Sequence, residues 1–181
     1  SVAFSMAFTA LPEQAVAQTF SFNNVSIEGN QRIEPGTILS YAGIARAAPV
    51  SAAELNDAYQ RIVASGLFET VEILPQGNTL VIRVTEYPTI NRIAFEGNRR
   101  IKDEDLAAIV ATQPRRVYSP SAAEQDANAI AEAYTQQGRI AARVTPKLIR
   151  RSDNRVDLVY EIFEGGVTEV ERISFVGNTE F

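Results

Sequence analysis

The chain has 181 residues, of which 17 are Lys or Arg and 22 are Asp or Glu, giving a net charge of −5. It contains no His, Cys or Trp, which excludes disulfides, Cys/His metal centres, and Ser-His-Asp or Cys-His catalysis. The acidic balance argues against a general nucleic-acid binder, because phosphate affinity needs clustered cations. Arg99-Arg100, Arg115-Arg116 and Arg150-Arg151 are isolated pairs that read as solvated loop charges. No cofactor and no metal are expected.

Residues 1–11 are uncharged and mostly apolar. Pro12, Glu13 and then Ala15-Val16-Ala17 follow. An apolar core before Ala-x-Ala predicts that residues 1–17 are the remnant of a secretory signal peptide. The alternative is an amphipathic helix packed on the first module. The stretch is too short to cross a bilayer.

Beyond it, one phrase is written three times. Val25-Ser26-Ile27-Glu28-Gly29-Asn30 returns as Ile93-Ala94-Phe95-Glu96-Gly97-Asn98, and again as Ile173-Ser174-Phe175-Val176-Gly177-Asn178. Copies roughly 70 to 80 residues apart are one small domain each, so the chain is an array. The boundaries expected are 19–87 for the first module, 88–165 for the second, and 166–181 for the opening strand of a third.

In the first copy, Phe20, Phe22, Val25 and Ile27 predict one strand. Gly29-Asn30 turns it, because glycine accepts positive φ and Asn tolerates the left-handed region. Pro35 suits a first helical position, and Ile38, Leu39 and Tyr41 give that helix an apolar side. Ser51-Ala52-Ala53-Glu54 is a capping box, followed by a stripe of Leu55, Ala58, Tyr59, Ile62 and Val63. Residues 67–74 and 79–85 read as two strands around a Gln76-Gly77-Asn78 turn. The second copy repeats the order. Asp103 is expected to cap a helix carrying Leu106, Ile109 and Val110. Ser121-Ala122-Ala123-Glu124 repeats the capping box, and residues 140–149 and 156–163 make the hairpin. The fold class is α+β, each module β-α-α-β-β.

Proline lacks an N–H, so Pro75 and Pro146 place the second strand of each module, the first of its hairpin, at a sheet edge. The more apolar third strand belongs in the middle. An open edge can receive an extended peptide through main-chain bonds. The candidate partner-binding residues are therefore Phe68, Thr70, Val71 and Ile73 in the first copy, and Ile140, Ala142, Arg143, Val144 and Lys147 in the second. The repeat turns are Gly29, Asn30, Gly97, Asn98, Gly177 and Asn178. Catalysis has only carboxylates to draw on, Glu28 with Glu96 or the run Asp103-Glu104-Asp105, and no enzyme is expected. The acids of that run suit a first helical turn in any case.

The element order, the recurring Gly-Asn phrases and the run Ser65-Gly66-Leu67-Phe68-Glu69-Thr70-Val71 resemble POTRA domains of the Omp85 family. The loop Arg46-Ala47-Ala48-Pro49 departs from that pattern where a glycine is expected, and Gly138-Arg139-Ile140 departs from Gly-Tyr-aromatic. The resemblance implies tandem POTRA modules, each a three-stranded sheet covered by two antiparallel helices. It further implies a place at the periplasmic face of the outer membrane, ahead of the protein's own C-terminal β-barrel. The implied partners are unfolded outer-membrane proteins, accessory lipoproteins and periplasmic chaperones of the assembly machinery. The alternatives are a translocation-and-assembly or two-partner-secretion Omp85 protein, and a cell-division POTRA protein.

Overall fold

The structure is a computed structural model that describes residues 18–45 and 47–166. The expectations for 1–17 and for Gly177 and Asn178 lie outside the described residues. The chain divides into two compact units, which meet between Glu86 and Tyr87.

In the first unit, β1 (Thr19–Ser21), β2 (Asn24–Glu28), α1 (Pro35–Ala42), β3 (Pro49–Ser51), α2 (Ala52–Ala64), β4 (Phe68–Gln76) and β5 (Thr79–Glu86) follow one another. The main sheet has the order β2-β5-β4. β2 runs parallel to β5, with Val25 beside Leu80, and β4 runs antiparallel to it, with Ile73 beside Ile82. The last strand in sequence is thus the middle one. Ile38 and Ala42 of α1 pack with Leu55, Ala58 and Ile62 of α2 over Leu80, Ile82 and Val84. Burying each large aliphatic side chain contributes about 1.5–3 kcal/mol.

The second unit contains β6 (Thr89–Glu96), α3 (Asp103–Ile109), α4 (Pro120–Gln136), β7 (Arg143–Arg151) and β8 (Arg155–Phe163). Its sheet repeats the plan as β6-β8-β7, parallel then antiparallel. Leu106, Ala127, Ile130 and Tyr134 cover Val156, Leu158, Tyr160 and Ile162. Two tyrosines sit in this core, and each hydroxyl has an acceptor: Tyr134 donates to Glu164 (2.9 Å) and Tyr160 to Asp126 (3.1 Å). Burial and those carboxylates push both phenol pKa values up. Asp126 also accepts from the amides of Ala111 (2.8 Å) and Thr112 (3.0 Å), tying α4 to the loop after α3.

Four local expectations are corrected. The first strand of the opening copy is broken: β1 pairs with β3 in a separate two-stranded ribbon, and β2 starts afresh at Asn24. The apolar phase shows why, because Phe20 and Phe22 are in step while Val25 is three residues on. Val63 is 40% exposed, off the buried stripe of α2. In the second copy the cap is Ser119, whose hydroxyl accepts from Ala122, and Ser121 lies inside α4. Pro120 moves the start upstream, since its fixed φ and missing N–H suit the first helical position. In α3 the N-cap is Lys102, and Asp103 is already helical. The capping box at Ser51 and Glu54 forms with both bonds present.

Candidate partner-binding edges

Both Gly-Asn turns among the described residues are packed joints. Gly29 and Gly97 have φ of +85° and +84°, and a Cβ there would stand 2.1 Å from the Val84 carbonyl oxygen and 2.0 Å from that of Ile162. The Asn side chains donate to Ile33 and Ile101 carbonyls at 2.9 Å in both copies. The loop amides that follow grip a glutamate at the end of the sheet. Glu86, 1% exposed, accepts from the amides of Gln31, Arg32 (2.9 Å) and Ile33 (2.9 Å). Glu164 accepts from Arg99 (2.7 Å) and Arg100 (2.8 Å) as well as Tyr134. Burial raises the Glu164 pKa, but these donors outweigh it and hold the carboxylate below its usual range. Glu86 and Glu164 are therefore clasps. Their one trace in the sequence is a Glu at the end of β5 (Glu86) and another just after β8 (Glu164).

β4 and β7 each pair on one side with the central strand. Among the described residues, no other strand pairs with their outer sides. The opposite edge of the second unit is partly covered: Ile90 of β6 exchanges hydrogen bonds with Arg115 (2.7 Å) and Arg116 (2.8 Å).

On β4 a bulge between Phe68 and Thr70 turns Phe68 and Val71 to the same side, and both are buried. Phe68 offers a partner main chain only. Thr70 is exposed. Ile73 is half-buried and lines a groove of about 200 Å³ with Val71 of β4 and with Leu55, Asn56 and Tyr59 of α2. On the outer face, Arg83 of β5 bridges Glu28 (3.1 Å) and Glu72 (3.3 Å) across all three strands, which raises the Arg83 pKa through the Glu28 bond first. Glu28 is thus an ion-pair partner. Asp103, Glu104 and Asp105 occupy the first turn of α3.

On β7 the structure brings together Arg143, Val144 and Lys147. It does not place Ile140 and Ala142 there. Arg139 is buried and donates to the Gly165 carbonyl (2.6 Å), and Ala142 closes a turn back onto Arg139. That turn delays the strand to Arg143 and leaves Ile140 66% exposed outside it. Arg150 and Arg151, read as loop charges, are the end of β7. Arg151 pairs with Asp157 of β8 (2.6 Å). That aspartate is 1% exposed and also accepts from Asn91 (2.9 Å). The Asn91 bond and the guanidiniums of Arg151 and Arg92 (3.3 Å) hold its pKa below the usual carboxylate value. A recess of about 580 Å³ opens at the start of β7, lined by Glu96, Arg143, Thr145, Glu161 and Phe163 among others. Among the described residues, no helix is long and apolar enough to cross a membrane.

A strand-helix-helix-strand-strand unit with the last strand central, built twice, defines a tandem α+β repeat architecture. The family model for POTRA, described as surface antigen variable number repeat, matches residues 20–87 and 88–165. The chain belongs to the POTRA family. It is 24% identical over 162 residues to the outer membrane protein assembly factor BamA of Neisseria meningitidis, covering 88% of this chain and 20% of that protein. It is 26% identical over 174 residues to BamA of Nitratidesulfovibrio vulgaris, covering 91% and 22%. The chain thus spans about one fifth of the length of these curated relatives. Among solved structures, the N-terminal domain of Omp85 from Thermosynechococcus elongatus matches with a TM-score of 0.61 at 20% identity, covering 79% of this chain and 63% of that one. POTRA1-2 of the periplasmic domain of Omp85 from Anabaena matches with a TM-score of 0.58 at 14% identity, covering 84% and 99%.

Proposed function

We propose that this chain is a periplasmic receptor and scaffold region of the outer-membrane β-barrel assembly machinery. It holds unfolded outer-membrane proteins by strand addition at β4 and β7, and it docks accessory lipoproteins and periplasmic chaperones ahead of a C-terminal barrel. Residues 1–17 belong, in this reading, to an export leader. The role is binding without catalysis. The observation that carries it is the outer side of β4, which has no strand partner among the described residues and lies beside an apolar groove against α2. Main-chain donors and acceptors supply affinity there, and the groove takes alternate side chains.

The test is a chemical-shift titration of the 15N-labelled chain with an extended outer-membrane-protein peptide. Shifts along 68–76 or 143–151, lost when proline replaces alternate peptide residues, support the reading. Shifts confined to the helices, or none, overturn it.

A further inference from the structure

The two open edges carry opposite charge. β4 holds Glu69 and Glu72 and no basic residue, whereas β7 holds Arg143, Lys147, Arg150 and Arg151 and no acidic one. We propose that β7 selects extended partner segments with acidic side chains at alternate positions, and that β4 disfavours the same segments. This rests on the strand-addition reading above and adds the chemistry of the partner.

Period two decides which charges a partner meets. Val144 and Leu148 pack on the core, so Arg143, Lys147 and Arg151 share the other face, beside Phe163, Val159 and Arg155 of β8. Arg143 is exposed and has no ion pair among the described residues. Lys147 and Arg151 lean on Glu161 and Asp157, yet their side chains remain 56% and 48% exposed. An added strand would lie about 4.8 Å outside β7, and its facing side chains would fall within about 5.5 Å of these three cations. Glu161 and Asp157 sit one strand further in and offset part of the Lys147 and Arg151 charge through those ion pairs, while Glu96 sits two strands further in, at about 14 Å, where screening at physiological salt is strong. Arg143, with no ion pair among the described residues, and the outward sides of Lys147 and Arg151 are therefore what the partner meets first. At β4 the geometry is reversed: Glu72 is 55% exposed on the edge while its partner Arg83 lies on the central strand.

Edge charges also deter pairing between copies. Either sign serves that purpose, so it does not account for one edge being acidic and the other basic. In fact opposite edges would attract one another, and that makes a second copy of the chain the rival occupant.

The experiment uses the full 15N-labelled chain and two peptides with one alternating apolar framework. Their outward positions hold Asp in one and Lys in the other. The Asp peptide should bind β7 about tenfold more tightly than the Lys peptide, as expected for three opposite-charge cross-strand pairs. The order should reverse at β4, and both preferences should shrink in about 0.5 M NaCl. In the double variant R143Q/K147Q, with spectra unchanged away from β7, the preference there should fall to about twofold. Equal binding of both peptides at β7 in low salt overturns the charge preference and leaves strand addition standing. No shift at either edge with either peptide overturns strand addition itself. Self-association of the peptide-free chain in low salt, abolished by R143Q/K147Q, assigns the basic edge to a second copy and overturns the proposal.

Discussion

Gly97 and Gly138 offer a matched pair, because their φ values are +84° and +82° while their surroundings differ. Alanine at Gly138 meets nothing within 4 Å, so G138A should cost only the strain of a left-handed alanine, about 1–2 kcal/mol. Alanine at Gly97 adds that strain and drives its Cβ to 2.0 Å from the Ile162 oxygen. Relief requires β8 to move by about 1 Å, since real Cβ contacts essentially never fall below 3.0 Å. β8 is bonded on both sides, to β6 and β7, so two or more ladder bonds weaken at about 1 kcal/mol each. The total for G97A is about 3–5 kcal/mol, much of the stability of a domain this small. Native-state hydrogen exchange at the Val159 and Tyr160 amides of the intact chain reads both variants. Protection should fall about tenfold in G138A and more than a hundredfold in G97A. Losses equal within about threefold would show that the carbonyl contact does not limit the turn.

Three further outcomes are expected. Ala47 has φ of +60°, so A47G should raise the urea midpoint by an amount worth up to about 1 kcal/mol, strain relief exceeding the added backbone entropy; a lower midpoint contradicts this. S119A should cost about 1 kcal/mol and S121A less than about 0.5 in thermal denaturation, because Ser119 is the true cap. Asp157 has a lowered folded pKa, so its contribution is present above the unfolded value of about 4 and is lost as pH falls through the folded one. Amide protection in the second unit should therefore drop below about pH 4, and D157N should flatten that drop while lowering protection at pH 7; an unchanged acid profile in D157N would remove Asp157 from this role.

Much of the architecture could be read from the residues because each repeat states its pattern twice. Pro75 and Pro146, together with the apolar runs of β5 and β8, point to the strand order that the sheets have. Errors arose where a short-range signal competed with a neighbour. Ser121 has the letters of a cap, but Pro120 outranks it. Ile140 continues an apolar run, yet the buried Arg139 makes a turn that no local propensity announces. Phe68 and Val71 lie on the expected edge strand, but the bulge that turns both inward shows only in the pairing. The glutamate clasps were missed for a related reason: a carboxylate held by amides about 55 to 65 positions away leaves no periodic trace.

Placing the final strand of each repeat at the centre of its sheet has a consequence during synthesis. While the ribosome is still making residues 79–86 or 155–163, the flanking strands already made have nothing to pair with. Nearly the whole repeat must leave the exit tunnel before any ladder of its three-stranded sheet closes, and closure then spans most of its length, a slow and aggregation-exposed route. A nascent repeat therefore passes through a stage in which it resembles the unfolded clients proposed for its mature form.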